Sequence, residues 1–255
     1  MDMDYTLVCE ENFDGMMTAV YNGWILMNKG NSVHIHPGEI YEYNFLTNYI
    51  DVQTDLNKAV KVADSIKKKI SNESYIRVYR ACMHYREDRV DRIVDYLKIG
   101  YRIGRRIDRD YGEPAVMEVM ELAKKVANEV HLFKGFVRFS EIRAGDKTLL
   151  FSKISPKCDV ITMLAHHFEG RYPLENWAIY DDVRQKALVH RRGSSSIIVS
   201  GNELDSSLGQ IAIKDEYEEL WKIFFQTIGI ESRKNEKCQM NHMPKWYRTN
   251  MTEMQ

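Results

Sequence analysis

Six side chains between residues 129 and 184 could carry out acid–base chemistry or bind a phosphate group. They are Glu129, His131, Arg138, His167, Asp181 and Arg184. Carboxylates and imidazoles exchange protons, and a guanidinium binds phosphate through paired hydrogen bonds. Most of the six lie at or near predicted ends of strands or helices, so we expect several of them to converge on one pocket. The alternative is a structural network of ion pairs that holds a curved sheet together.

The segment 131–143 is predicted to be a single β-strand. Its apolar residues alternate, which places Phe133 and Phe139 on one face and Arg138 and Ile142 on the other. Both faces are substantially apolar, so the strand is expected to be covered on both sides. Arg138 would then be partly buried, and it would need an acidic partner such as Asp181 or Glu129.

A different kind of site is indicated by the segment GYRIGRRIDR, residues 100–109. Between Ser71 and Arg109 there are ten basic and six acidic residues, a local balance of +4. The segment concentrates this charge in Arg102, Arg105, Arg106 and Arg109, next to Tyr101. Contacts with the phosphates of a nucleic acid require such a cluster. The alternative is a solvated helix face whose arginines pair with nearby acids.

The C-terminal sequence contains a second group of cations interleaved with aromatic rings. The residues predicted to bind nucleic acid there are Arg233, Lys245, Trp246 and Arg248. Flat rings can stack on unpaired bases while neighbouring cations bind phosphates. Equally, Trp246 and Tyr247 could simply attach the end of the chain to its domain.

Two shorter patterns carry weaker signals. His34 and His36 share one face of a predicted strand, with Glu39 nearby, which is compatible with metal binding but also with an exposed strand end. The segment RRGSSSI, residues 191–197, lacks the glycine spacing of the common nucleotide-binding loops. We therefore predict neither a metal site nor a cofactor.

Charge and cysteine content limit the classes of protein. The chain has 255 residues and 44% apolar residues, enough for a large core. It carries 36 Lys and Arg against 37 Asp and Glu, so any site for a polyanion has to be a local patch. The four cysteines form no CxxC pair, which favours reduced thiols. No signal-peptide pattern or apolar run of about 18 residues is present, so we expect a cytoplasmic protein without a membrane partner.

Hydrophobic periodicity predicts an α+β fold. Short strands and a helix capped by Asn12 or Asp14 open the chain, and a helical middle region follows. Strands are then predicted at 131–143, 148–154, 176–181, 186–191 and 195–199, with one helix between the second and third. Most connections are too short for helical crossovers, so this C-terminal sheet should be mostly antiparallel and packed with helices. The change near residue 130 predicts domains 1–130 and 131–255, or two layers of one compact unit.

Four stretches of the chain resemble a bacterial family described as DNA metabolism (DNA repair) proteins. They are FDGMMTAVY, EVHLFKGFVRFSEI, HHFEGRYPLENWAIYDDVRQKALVH and ESRKNEKCQMNHMPKWYRTNMTEM. They occur in the family's order from end to end. The C-terminal part of that family is a domain of unknown function.

The resemblance implies a context of DNA repair and three partners. Family members are companions of a radical-SAM protein of DNA modification or repair, and some are fused to a uracil-DNA-glycosylase-like domain, so the implied partners are DNA and these two proteins. This chain has no CxxxCxxC motif and is not itself the radical-SAM partner. It also lacks a GxDPY stretch, which argues against glycosylase activity.

Three functional hypotheses follow from residues and resemblance together. The first is a DNA-binding accessory factor that uses the arginines of segment 100–109 and the C-terminal residues. The second is an enzyme acting on a damaged or modified nucleotide, with Asp181 or Glu129 as base and His131 or His167 as proton shuttle. The third is a non-catalytic scaffold for the radical-SAM partner.

Overall fold

The computed structural model describes residues 4–40, 43–144, 147–201, 240 and 243–251. They form an α+β fold, as predicted, with helices, a three-stranded sheet and a five-stranded sheet. Contacts divide the chain into two compact units, residues 1–127 and 128–255. The predicted boundary after residue 130 lies close to this division.

The first unit contains a parallel sheet with the strand order β2-β1-β3. Its opening elements are β1 (Asp4–Cys9), α1 (Phe13–Met27), β2 (Ser32–Pro37) and β3 (Asn48–Val52). Leu7 and Ile35 pair in register and are both buried, so the sheet contributes directly to the core. Asn12 caps α1 by accepting a hydrogen bond of 2.7 Å from the backbone N–H of Gly15, which confirms the first of the two predicted caps.

Helices make up the rest of this unit. They are α2 (Leu56–Lys69), α3 (Asn72–Cys82), α4 (Arg89–Ile103), a 3-10 helix (Gly104–Arg109) and the first part of α5 (Pro114–Phe136). The apolar periodicity of residues 74–104 predicts one long amphipathic segment, whereas the structure has two helices with a break at residues 83–88. Helix α4 ends at Ile103. It is followed by Gly104, whose positive φ of 63° is readily accessible to glycine.

The predicted strand over 131–143 is wrong in its first half, because α5 continues to Phe136. Buried apolar residues follow each other along α5 at intervals of three and four: Val116, Val119, Ala123, Val126, Val130 and Phe133. This is the helical period, and it extends through the segment that was interpreted as alternating. Strand structure begins only at Ser140.

The second unit contains a sheet with the strand order β4-β5-β6-β7-β8. Its strands are β4 (Ser140–Ala144), β5 (Lys147–Ile154), β6 (Trp177–Asp181), β7 (Lys186–His190) and β8 (Ile197–Ser200). Three of the four pairings are antiparallel, which confirms the mostly antiparallel prediction. Strands β5 and β6 are parallel, and α6 (Ile161–Arg171) lies between them in sequence. Trp177 is fully buried in the core of this unit.

Several predicted features lie outside the described residues. They are the helix that the amphipathic pattern of residues 215–230 predicts, the basic sequence before residue 240 and the predicted contact residue Arg233. Within the part of the chain that the structure describes, none of the helices is long and apolar enough to span a membrane.

The cysteines of the described residues give a testable consequence of this packing. Cys9, Cys82 and Cys158 are all buried, and burial raises the pKa of both Cys9 and Cys82 to about 12. Because the thiolate is the reactive form, we expect neither Cys9 nor Cys82 to react with iodoacetamide in the native protein. Mass spectrometry of the labelled peptides should show alkylation at both positions only in denaturant. Rapid labelling of either thiol in the native state would contradict this packing.

Candidate nucleic-acid interface

We call Arg102, Arg105, Arg106 and Arg109 together the arginine segment. Arg102 lies in the last turn of α4, and the other three lie in the 3-10 helix. All four side chains are exposed. Among the described residues, none of the ion pairs includes any of the four. The segment therefore presents four guanidinium groups to solvent.

Arginines earlier in the same region are bound to acids instead. Arg86 and Arg92 contact the carboxylate of Asp88 at 2.6 Å and 3.0 Å, and Arg92 also contacts Glu118 at 3.0 Å. These pairs lower the pKa of Asp88, chiefly through its hydrogen bond from Arg86. The predicted alternative of a solvated face of paired charges thus describes Arg86 and Arg92, whereas the arginine segment has no such pairs among the described residues.

A buried anchor holds the arginine segment in place. Ile107 and Asp108 are buried between exposed arginines. The hydroxyl of Ser74 donates a hydrogen bond of 2.7 Å to the carboxylate of Asp108, and the guanidinium of Arg77 lies 3.5 Å from the same oxygen. Tyr96 joins this cluster by accepting a hydrogen bond of 2.9 Å from Arg77. Because these partners are buried, the 3-10 helix is fixed on α3 and α4.

Sequence reasoning missed a neighbour of the arginine segment, the last turn of α2. That turn carries Lys67, Lys68 and Lys69, all exposed. A β-carbon at Gly104 would lie 3.7 Å from the carbonyl oxygen of Lys69, so the end of α2 lies beside the start of the 3-10 helix. The only sequence signal was the run KKK itself, because residues 35 positions apart meet only in the folded chain.

In the second unit, the connection between β5 and α6 is held from two sides. The buried carboxylate of Glu129 accepts hydrogen bonds from the backbone N–H groups of Lys157 and Cys158 at 2.9 Å and 2.8 Å. The guanidinium of Arg184 donates to the backbone carbonyls of Pro156 and Lys157 at 3.3 Å and 2.6 Å. We call residues 155–158 the clamped loop, because side chains bind both its N–H groups and its carbonyls.

Asp181 orients Arg184 for this contact. It is fully buried at the end of β6, and it accepts hydrogen bonds from the backbone N–H groups of Val183 and Arg184. Its second oxygen lies 3.3 Å from the guanidinium of Arg184. Burial raises the pKa of Asp181, while Arg184 and the two N–H groups oppose that rise. Asp181 therefore closes a turn and orients the side chain of Arg184, which holds the clamped loop.

The predicted pair between Arg138 and Asp181 or Glu129 is wrong, since these two acids contact other partners. The guanidinium of Arg138 donates to the backbone carbonyls of Gly135 and Val137 at 2.7 Å and 3.2 Å. The physical reason is the end of α5: a helix leaves its last carbonyls without intrahelical donors, and Arg138 supplies one.

The structure brings three of the six predicted catalytic residues to the clamped loop, namely Glu129, Asp181 and Arg184. His131 is exposed on α5. His167 is half-buried on α6, its ring packs against Phe168 at 4.9 Å, and its pKa is lowered by burial and by the charges of Lys134 and Arg171. The hydrogen bonds of Glu129 and Asp181 fit the structural alternative, and a catalytic role for any of the six stays a prediction.

The C-terminal motif PKWYR, residues 244–248, packs against the clamped loop. The indole N–H of Trp246 donates to the carbonyl of Ser155 at 2.7 Å, and the hydroxyl of Tyr247 donates to Glu129 at 3.1 Å. The ring of Tyr247 also contacts Phe133, with 5.2 Å between ring centroids. This is the attachment role that sequence analysis gave as one alternative.

The side chain of Trp246 nevertheless remains accessible to a ligand. Its side chain remains 51% exposed, and the ammonium of Lys157 lies 5.2 Å from its ring centroid. Lys245 is exposed beside it. Arg248 donates from Nε to the carbonyl of Met243, whereas one of its terminal nitrogens is buried without a partner among the described residues. An indole face flanked by lysines can stack on an unpaired base and hold its phosphate.

The two histidines near β2 have other partners. His34 lies 3.3 Å from the carboxylate of Asp91, and His36 lies 3.2 Å from the backbone oxygen of Glu39. Within the described ranges, His, Cys, Asp and Glu side chains form no group of three or more that could hold a metal ion.

Comparisons with known proteins give one family. Among solved structures, a protein from Methanococcus jannaschii assigned to the family II inorganic pyrophosphatases is 10% identical over 78% of this chain and 94% of that chain, with a TM-score of 0.19, which supports no inference about this chain. No curated protein matches the sequence. Residues 87–253 match the model of a domain of unknown function, DUF4130. Because this match spans more than half of the 255 residues, the chain belongs to the DUF4130 family.

Proposed function

We propose that the protein is a DNA-binding accessory factor of a DNA repair or modification system. The observation that carries the proposal is the arginine segment, whose four exposed guanidinium groups have no acidic partner among the described residues. A guanidinium without an intramolecular ion pair gains more from binding a phosphate than a paired one, because the paired one only exchanges a carboxylate for a phosphate.

The charge distribution supports a local interface. The formal net charge is −1, so attraction of DNA to the whole protein is not expected. The arginine segment and the last turn of α2 together place seven cations on neighbouring elements of the first unit. A cluster of this size provides contacts to several consecutive phosphates while the rest of the surface stays neutral.

The exposed face of Trp246 supports a preference for unpaired bases. Lys157, beside the indole ring, is presented by the clamped loop, and Lys245 precedes Trp246 in the chain. Stacking on an aromatic ring is available only to bases that are not already stacked in a duplex. Single-stranded DNA, or a locally opened duplex, is therefore the proposed substrate of this surface.

The sequence resemblance extends the proposal to partners. It suggests that the protein acts together with a radical-SAM protein of DNA modification or repair and with a uracil-DNA-glycosylase-like protein. The proposed task of this chain is to hold DNA while a partner carries out the chemistry. The hydrogen bonding of Glu129 and Asp181 by the backbone favours this division of labour over catalysis by the chain itself.

Fluorescence anisotropy of labelled single-stranded and double-stranded oligonucleotides tests the proposal. We expect saturable binding at low salt, an affinity that falls by at least ~10-fold between about 50 and 200 mM salt, and tighter binding of the single strand. The same titration with the uncharged stacking probe thymidine should show no comparable salt dependence. Absence of binding to both oligonucleotides at low salt would reject the proposed function.

A further inference from the structure

A cleft of about 500 Å³ lies in the first unit between α1, α2 and α4. Its volume falls in the usual range for sites of small molecules, roughly 300–1,000 Å³. Helices α1 and α2 lie outside the residues that match the DUF4130 family, and of the lining residues only Tyr101 lies inside them. None of its described lining residues belongs to the arginine segment.

Three aromatic side chains line the cleft: Tyr21, Trp24 and Tyr101. Trp24 and Tyr101 meet edge to face, with 5.3 Å between ring centroids and 80° between ring planes. Both are half-buried, so each ring is held by packing yet retains accessible surface. Burial raises the pKa of Tyr101, and Ser65, another lining residue, opposes that rise. Rings fixed in this way suit a planar ligand.

The charges at the cleft are positive. Lys61 and Lys69 belong to the lining, and none of the described residues that form it is acidic. The two lysines are eight residues apart on α2, which corresponds to about 12 Å along the helix axis, with Ser65 between them. Lys58, one turn before Lys61, lies 5.8 Å from the ring of Tyr21. The rim of the cleft is thus suited to a negatively charged group, and its floor to an aromatic one.

We propose that this cleft binds a nucleoside phosphate, with the base against Trp24 and Tyr101 and the phosphate at Lys61 or Lys69. Aromatic rings beside ammonium groups match a ligand that is planar at one end and anionic at the other. The ligand is either a free nucleotide or a single nucleotide unit of a DNA strand, since both offer the same base and phosphate. This inference does not rest on the proposed DNA-binding function: Lys69 is shared with the last turn of α2, whereas Trp24, Tyr101 and Lys61 are not part of that surface.

Isothermal titration with deoxynucleoside monophosphates is the test, using the full chain. We expect binding of at least one of the four monophosphates, and a loss of affinity of ~10-fold or more in the variant Lys61→Glu/Lys69→Glu. The matched control is Lys124→Glu/Lys125→Glu, which makes the same change of charge at exposed positions of α5, outside both the cleft and the proposed DNA-binding surface. This control should bind the monophosphate like the unmodified protein. The conservative variant Trp24→Phe should retain weaker binding if the ring supplies stacking.

Further measurements distinguish a free nucleotide from a nucleotide unit of a DNA strand, and they test whether the cleft is the binding site. Binding of the free monophosphate identifies a soluble nucleotide, whereas binding of short oligonucleotides alone identifies a unit of a strand, and either outcome supports the proposal. The variant Arg105→Ala/Arg106→Ala should leave monophosphate binding intact even where it weakens oligonucleotide binding. The inference would be overturned if both lysine variants lost the same affinity for the monophosphate. It would also be overturned if the nucleoside without phosphate bound equally well, or if none of the probes bound.

Discussion

Charge reversal at Arg105 and Arg106 is expected to weaken DNA binding by roughly 100-fold at low salt, because two attractive contacts with phosphates become repulsive. Both side chains are exposed in the 3-10 helix, and Ile107 and Asp108 supply its buried anchor. The variant Arg105→Glu/Arg106→Glu should therefore keep its fold and its melting temperature. Fluorescence anisotropy with a labelled oligonucleotide measures the affinity, and circular dichroism checks the fold.

The chain provides a matched control for this prediction. Arg86 and Arg92 lie in the same region and are about equally exposed, with 42% and 39% of their side-chain surface accessible, but they are paired with Asp88 and Glu118. Their replacement by glutamate changes the net charge by the same amount. We expect this control to lose little affinity, since a paired arginine contributes little to phosphate binding. If both variants lost the same affinity, DNA binding would depend only on the net charge of the protein.

Replacement of Glu129 by alanine is expected to lower the free energy of unfolding by about 3 kcal/mol, because buried donors would lose their acceptor. Those donors are the backbone N–H groups of Lys157 and Cys158 and the hydroxyl of Tyr247. The clamped loop and the PKWYR motif would lose a common anchor. Urea unfolding followed by circular dichroism gives the change in stability.

Glu121 is the control for this substitution, since it lies on the same helix. Its side chain is 65% exposed and its partner is Lys125, at 2.8 Å on the next turn. Glu121→Ala should leave the free energy of unfolding nearly unchanged, as is usual for exposed ion pairs. If Glu129→Ala were as stable as the unmodified protein while abolishing an activity of the protein, Glu129 would be a catalytic base and the structural interpretation of the clamped loop would fail.

Most of the fold could be predicted from hydrophobic periodicity, and the main exception is the segment after Glu129. Strands β6 and β7 were predicted to within one residue at each end because their apolar runs are short and bounded by turn residues. The segment after Glu129 was predicted as a strand because its apolar residues, Phe133 and Phe139 among them, were interpreted as alternating between two faces, which favours β structure. Packing of Val130 and Phe133 along the buried stripe of α5 overrides that preference up to Phe136.

The candidate sites were predictable only where the chemistry is local in sequence. Four arginines within eight residues identify the arginine segment, but sequence could not show that they lack acidic partners among the described residues whereas Arg86 and Arg92 have them. The partner of Arg138 was misassigned, because a carbonyl at the end of α5 leaves no pattern in the sequence. The cleft at Trp24 joins α1, α2 and α4, so only the folded chain brings its rings and lysines together.

The most direct test of the central claim is the salt dependence of binding to duplex DNA in the variants Arg105→Ala/Arg106→Ala and Arg86→Ala/Arg92→Ala. Each phosphate contact contributes about 0.9 to the slope of the logarithm of the affinity against the logarithm of the salt concentration. We predict that the first variant lowers the magnitude of this slope by about 2, and that the second leaves it unchanged. An unchanged slope in the first variant would contradict the assignment of the arginine segment as the phosphate-binding surface.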